Sequence, residues 1–297
     1  MTKKKKIRFI INPISGKLHR KNLPQQIDEH LNKDLFDYEI TISEYAGHSK
    51  VLVQEAINEG CDIVAVAGGD GSINEVGTRL IGTDIALAII PCGSGNGLSR
   101  CLDIPLNPIK ALELINKGFC RKIDTVDIND RTFISIAGTG YDAKVAEDYS
   151  NDKHRGFDTY FKYIVRDFFA LKDQDYILEL PNKTIEAKAF FISFANSNQM
   201  GYDVPISPKA SLWDGLVDLC IVEKPNPLEL PIMGGFMIDG MMDKAPKVNI
   251  IQTPEVNIIR PQADVINLDG ESIIMEKDLH LKVNPLSLNI ICNEKQS

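Results

Sequence analysis

At 297 residues the chain is long enough for roughly two domains of ~150 residues each. Its 43% hydrophobic and 25% charged residues are a globular composition, which excludes a disordered, collagenous or fibrous chain. The 41 acidic residues outnumber the 33 basic ones and leave a net charge of -8, so no whole-molecule attraction to nucleic acid or to an anionic membrane is expected and any such contact must be local.

The first 120 or so residues alternate short apolar runs with amphipathic stretches, the pattern of a parallel sheet covered by helices. Strands are expected at Ile7 to Asn12, Tyr38 to Ser43, Asp62 to Ala67 and Ile85 to Pro91. The last two are almost wholly apolar, as strands buried on both faces are. Leu23, Ile27 and Leu31, and then Val53, Ala56 and Ile57, recur at helical spacing, and Ser72 to Ile81 and Pro108 to Asn116 also read as helices.

From about Cys120 the texture changes to alternating segments divided by turn residues. They are Lys122 to Ile128, Arg131 to Ala137, Tyr176 to Leu180, Thr184 to Phe194, Leu216 to Val222, Lys247 to Ile251, Val256 to Ile259, Val265 to Leu268 and Leu279 to Val283. Many strands with few helices predict a largely antiparallel sandwich, with Phe157 to Leu171 and Pro227 to Met241 as helices laid against it. The expected organisation is an α/β domain over 1-121 and a β-rich domain over 122-297, whose last strand is free to return to the first.

Six scattered cysteines form no CxxC pair and have no clustered histidines, so neither a zinc site nor a disulfide framework is expected. The apolar stretch Ile7 to Ile11 is too short for a signal peptide and no run approaches the ~20 apolar residues of a membrane span. A cytoplasmic protein is the expectation.

The strand ending at Ala67 runs into Gly68-Gly69-Asp70-Gly71-Ser72-Ile73-Asn74-Glu75 and then into a helix. Glycines let backbone amides approach an oxyanion, and the helix N-terminus adds partial positive charge, which is phosphate-binding chemistry. Alone, such a loop reads equally well as a capped strand-to-helix turn. A second loop, Pro91-Cys92-Gly93-Ser94-Gly95-Asn96-Gly97, ends the next strand, and two such loops at one sheet edge converge on one crevice. Asn12-Pro13-Ile14-Ser15-Gly16-Lys17 follows the first strand and brings a lysine to the same edge.

These segments, in this order, resemble the diacylglycerol kinase catalytic-domain family of lipid kinases, which includes sphingoid-base kinases and bacterial diacylglycerol kinases. Asp214-Gly215 and Asp269-Gly270-Glu271 are similar to further family motifs, so the resemblance covers nearly the whole chain. It implies an ATP site between the domains, with Gly68, Gly69, Asp70, Gly71 and Ser72 around the phosphates and Glu75 on the same motif. Asn12, Lys17, Ser43, Gly93, Ser94 and Asn96 would line the rest of that site. Ser94 and Gly97 stand where many members carry threonine and aspartate, a form more like the sphingoid-base kinases.

Phosphoryl transfer to an alcohol needs positioning, metal and a base. The resemblance assigns acid-base chemistry to Asp269-Gly270-Glu271, where strand geometry, if it persisted, would turn both carboxylates to one side. The residues alone also read as a polar hairpin turn, and they do not separate Asp269 from Glu271. Asp70 is expected at magnesium-ATP, with helix capping as the alternative. Ser211, Asp214 and Leu216 resemble a structural magnesium site in bacterial members; without that likeness Asp214-Gly215 is a turn. Gly138-Thr139-Gly140-Tyr141-Asp142-Ala143 fits a dinucleotide pattern with Asp158 twenty residues on, but lies beyond the parallel β/α alternation and is read against such a site.

Lys3 to Lys6, and Lys153-His154-Arg155 with Phe157, Tyr160, Phe161, Tyr163, Phe168 and Phe169, offer local membrane contacts, against a solvated terminus and an ordinary core helix. Met233, Phe236, Met237, Met241 and Met242 read as core ahead of an acyl-chain pocket. The expectation is an ATP- and magnesium-dependent lipid kinase, with diacylglycerol as first acceptor, peripheral membrane contact and a homodimer left open. A sphingoid base or other lipid alcohol, an NAD kinase and a non-catalytic nucleotide or lipid sensor are the rivals.

Overall fold

A computed structural model describes residues 3–15, 22–152, 154, 157–201 and 204–294. The chain divides into two units: Met1–Asp124 with Gly201–Asp203 and Pro285–Ser297, and Thr125–Met200 with Val204–Asn284.

In the first unit β1 (Lys5–Ile11), α1 (Leu23–His30), β2 (Phe36–Ile42), α2 (His48–Asn58), β3 (Ile63–Gly68), α3 (Asp70–Leu80), β4 (Ala86–Pro91), α4 (Gly97–Cys101) and α5 (Pro108–Lys117) follow in order. The sheet runs β2-β1-β3-β4, all parallel. Every residue of β3 and β4 is buried, which is why these segments carry no polar alternation. Helix α5 starts where the Asn107 side chain accepts from the amides of Ile109 and Lys110, and stops at left-handed Gly118.

The second unit is built from β5 (Cys120–Ile128, whose first residues belong to unit one), β6 (Arg131–Phe133), β7 (Ile136–Gly140), α6 (Tyr141–Asn151), α7 (Phe157–Ala170), β8 (Gln174–Leu180), β9 (Lys183–Ala189) and β10 (Phe191–Ala195). It continues through β11 (Val217–Val222), α8 (Leu230–Ile238), β12 (Val248–Thr253), β13 (Glu255–Ile259), β14 (Asp264–Leu268), β15 (Glu271–Met275) and the first half of β16 (Asp278–Ile291). One sheet runs β12-β11-β10-β7-β14-β15, antiparallel throughout. Strands β13, β8 and β9 pair antiparallel beside β16, and a core including Phe133, Tyr176, Phe194, Leu219, Ile258 and Leu281 fills the sandwich.

The α/β and sandwich architecture agrees with the sequence reading, and the differences have local causes. The strand expected over Arg131 to Ala137 is two strands parted by a bend at Ile134 and Ser135. Helix α6 was not expected; only Ala143 and Val145 carry its fully apolar burial, too few to make a periodic stripe. The last strand extends to Ile291, past Pro285 and left-handed Leu286, and its second half lies parallel to β4 in the first unit.

Candidate active site

Four segments meet at the C-terminal edge of the parallel sheet in the first unit. Asn12 follows β1, its amide bonded to the Ala67 carbonyl at 3.0 Å, and the Ser43 amide donates to the Ile11 carbonyl at 2.9 Å. The Asn12 side chain donates to Ser72 Oγ at 2.8 Å and accepts from the Ile14 amide at 3.0 Å, which ties the first loop to α3.

Loops 68–72 and 93–96 touch backbone to backbone. A Cβ on Gly93 would lie 2.6 Å from Gly69 Cα, so position 93 is restricted to glycine by contact rather than by dihedral angle. Asp70 is the clasp: Oδ2 accepts from the Asn96 amide and Oδ1 from the Gly97 amide, both at 2.9 Å. It thereby caps α4. Asn96, left-handed at φ 53, folds the second loop on itself by accepting from Gly93 N at 3.0 Å and donating to Gly93 O at 2.8 Å. Ser94 is left exposed on the rim and Glu75 half-exposed on the next turn of α3.

The N-cap of helix α3 is Gly69, which has no side chain with which to cap it. Its first-turn amides, those of Asp70, Gly71 and Ser72, have no acceptor within the helix, and such amides with the helix dipole bind phosphate oxygens. A polyphosphate therefore fits this edge. Among the described residues no group of three or more His, Cys, Asp or Glu side chains could hold a metal ion. A magnesium ion here would depend on phosphate oxygens, with Asp70 as the adjacent carboxylate. Lys17 falls outside the described residues.

In the second unit the Asp269-Gly270-Glu271 segment departs from the strand geometry that would turn both carboxylates to one side. Asp269 and Gly270, at φ 48 and 87, are the two-residue turn of the β14-β15 hairpin, flanked by the Leu268-Glu271 pair. The Asp269 carboxylate is turned inward, 6% exposed, and accepts from the amides of Ile134 at 2.7 Å, Ser135 at 2.9 Å and Ile136 at 2.9 Å. Its own amide donates to the Ile136 carbonyl at 2.9 Å. The bend between β6 and β7 has no ladder partners for these amides, and the aspartate supplies them. Glu271 is exposed at the start of β15.

Asn196 completes that bend: its side chain donates to Ile134 O at 2.6 Å, while the amides of Asn196 and Ser197 donate to Ser135 O at 3.1 and 3.0 Å. Gly138 to Ala143 forms the end of β7 and the start of α6. Since β7 pairs antiparallel with both β10 and β14, this is no dinucleotide-type βαβ unit. Asp142 is buried there, Oδ1 accepting from the Ala143 amide at 2.8 Å and Oδ2 without a hydrogen-bond partner, and burial pushes its pKa up to about 7. Ser211, Asp214 and Leu216 fall on the turn before β11, where exposed Asp214 accepts from the Leu216 amide at 3.0 Å.

Comparison with known proteins places this geometry. Residues 6–128 match the diacylglycerol kinase catalytic domain, and residues 135–292 the YegS C-terminal NAD kinase beta sandwich-like domain. A diacylglycerol kinase of Staphylococcus aureus (strain JH9) is 31% identical over 274 residues, 90% of this chain and 86% of that protein. The chain belongs to the diacylglycerol kinase family. Two crystal structures from Bacillus anthracis str. Sterne assigned as diacylglycerol kinases share its fold. One has TM-score 0.78 at 22% identity over 100% of both chains, the other TM-score 0.74 at 20% identity over 99% of both.

The structure gathers Asn12, Ser43, Gly68 to Ser72 and Gly93 to Asn96 on one sheet edge, and leaves Asp269 buried and Glu271 exposed. The sequence reading missed the bend at Ile134 and Ser135 and Asn196, since the main-chain groups they satisfy leave no residue-type signal. It also passed over Asp124, which is fully buried and accepts from the Leu286 amide at 2.7 Å.

Proposed function

We propose that this kinase transfers the γ-phosphoryl group of ATP to the hydroxyl of a membrane-resident lipid alcohol, with diacylglycerol the first choice. The observation that carries the reading is the glycine N-cap of α3 beside the paired glycine loops, in a chain of this family. ATP supplies a γ-phosphoryl group whose transfer breaks the bond to the β-γ bridging oxygen and forms one to the acceptor oxygen. The amides of Asp70, Gly71 and Ser72 bind phosphate oxygens, and the Ser94 hydroxyl, Asn12, Ser43 and Lys17 line the remainder of the nucleotide site. Asp70 acts by clasping the two loops at a fixed separation. Glu271 takes the proton of the acceptor hydroxyl, being the carboxylate of its motif that solvent reaches. Asp269 holds the hairpin tip that presents it.

The turn Ser211 to Leu216 would hold a magnesium ion through the exposed Asp214 carboxylate and main-chain oxygens, ligands that suit a hard cation. Metal analysis of wild type and Asp214→Ala tests that role, and equal magnesium content in both refutes it. The reaction itself is tested with radiolabelled ATP against diacylglycerol, a sphingoid base, a monoacylglycerol and NAD. Label in phosphatidic acid is the expected result; label in NAD alone, or in none of the four, overturns the reading. The Ser94 form of the second loop makes the sphingoid base the second acceptor.

A further inference from the structure

Helix α8 reads Leu-Pro-Ile-Met-Gly-Gly-Phe-Met-Ile, nine residues without one charged or hydrogen-bonding side chain. A surface helix ordinarily buries one stripe and wets the other. Here the inner side rests on the core: Met233 is buried in a cluster with Ile136, Ile206, Cys220 and Met242, and Phe236 and Met237 pack partly against it. The outer side is as apolar as the inner. Ile232 is 55% and Ile238 86% exposed, and Leu230 and the preceding Leu228 are 38% and 87% exposed.

Leu228 is held outward by a built turn. Asn226 Oδ1 accepts from the amides of Leu228 and Glu229 at 3.0 and 3.1 Å, and the Asn226 amide donates to Glu229 Oε2 at 2.8 Å. These bonds order the backbone that carries the exposed Leu228. Two of the flanking carboxylates are neutralised nearby, Glu229 by Lys247 at 3.0 Å and Asp243 by Lys209 at 2.7 Å, while Asp239 at the C-cap is exposed.

We propose that Leu228, Leu230, Ile232 and Ile238 form the face by which this protein enters the apolar boundary of a lipid bilayer. The inference rests on the reading of the acceptor as a bilayer-resident lipid, and names the surface that reaches it. Two observations select lipid over a protein. The face offers no hydrogen-bonding side chain, whereas protein interfaces carry about one hydrogen bond per 100–200 Å² and are enriched in Tyr, Trp and Arg. Four side chains fall well short of the ~800 Å² per partner of a stable dimer. Glu229 and Asp243 are paired with lysines, and exposed Asp239 is the one rim carboxylate with no ion pair among the described residues, so a zwitterionic headgroup layer suits the face better than an anionic one. Aliphatic side chains on an interfacial helix bury ~5–10 Å into the headgroup and acyl boundary.

The test is flotation with phosphatidylcholine vesicles, which removes electrostatic attraction, using the full chain and the double variant Leu228→Ser/Ile238→Ser. Wild type should float and the double variant should bind at least tenfold more weakly, with an unchanged melting temperature. As a second measurement, Leu228→Trp should gain fluorescence quenched by bromine-labelled acyl chains, over the background of the single native Trp213. Equal flotation of wild type and double variant, an unquenched Leu228→Trp, or a wild-type dimer that the double variant dissociates would each overturn the proposal. Phosphorylation of a short-chain, monomeric diacylglycerol reports separately on the reaction. Loss of vesicle binding with that activity intact in both proteins supports the proposal. Absence of that activity in wild type refutes the assigned reaction whatever the vesicles show.

Discussion

The glycine-loop edge of the first unit and the hairpin tip of the second are both organised by an aspartate whose two oxygens accept backbone amides. Asp70 reaches the amides of Asn96 and Gly97, 26 and 27 residues on, while Asp269 reaches those of Ile134 to Ile136, 133 to 135 residues back. In each case the charged residue of a recognisable motif holds the backbone, and a neighbour, Ser94 or Glu271, is the group exposed. A carboxylate inside a motif is therefore assigned by what its oxygens accept. Asp142 makes the contrast: as buried as Asp269, it has one amide instead of three and an Oδ2 with no partner, and its pKa rises to about 7.

The largest expected effect would break the comparison at the hairpin. Glu271→Gln should slow single-turnover transfer about 10²- to 10⁴-fold, the range of general-base assistance, with no change in melting temperature since the side chain is exposed. A similar loss from Asp269→Asn at unaltered stability would show that the buried carboxylate, and not Glu271, does the chemistry.

Asp142 sharpens the contrast through pH. Its pKa, 3.8 when unfolded and about 7 when folded, means that folding takes up a proton between these values, so its contribution to stability falls as pH rises from about 4 to about 7 and is level above. The displacement corresponds to at most about 4 kcal/mol. Asp142→Asn should remove this slope, so that its stability relative to wild type is greatest at pH 8 and least near pH 4. Parallel denaturation profiles across that range would show that Asp142 is ionised in the folded protein.

Asp269→Asn should destabilise the fold by about 1–3 kcal/mol, because an amide group at 269 cannot accept at all three positions and leaves a buried donor unmet. Chemical denaturation reads this directly, and unchanged stability would remove the clamp from the account. The smallest effect belongs to Asp70→Asn, where one of the two amides, on buried Asn96 and Gly97, loses its acceptor and the loops shift. Nucleotide affinity should fall about tenfold, equivalent to ~1.4 kcal/mol, by equilibrium titration. Unaltered affinity would mean that the clasp does not shape the phosphate site.

How much was legible in the sequence follows from the range of each interaction. Strands β3 and β4 and the loops after them were legible because burial on both faces writes a continuous apolar run and close backbone approach writes glycine. The hairpin at Asp269-Gly270 was legible as a turn, since two consecutive left-handed residues favour Asp-Gly. Helix α8 was legible as a helix laid against the sandwich, but an amphipathic reading of Pro227 to Met241 did not anticipate that Leu228 and Ile238 face outward.

The sequence by itself determined the class of each unit, the order of the motifs and the residue types available at the sheet edge, because periodicity, turn chemistry and glycine tolerance act over a few neighbours. Only the tertiary structure decided which carboxylates are clamps and which is exposed. The donors that capture Asp269 are main-chain amides more than 130 residues away, and every residue but proline carries the same amide, so no residue-type pattern announces them.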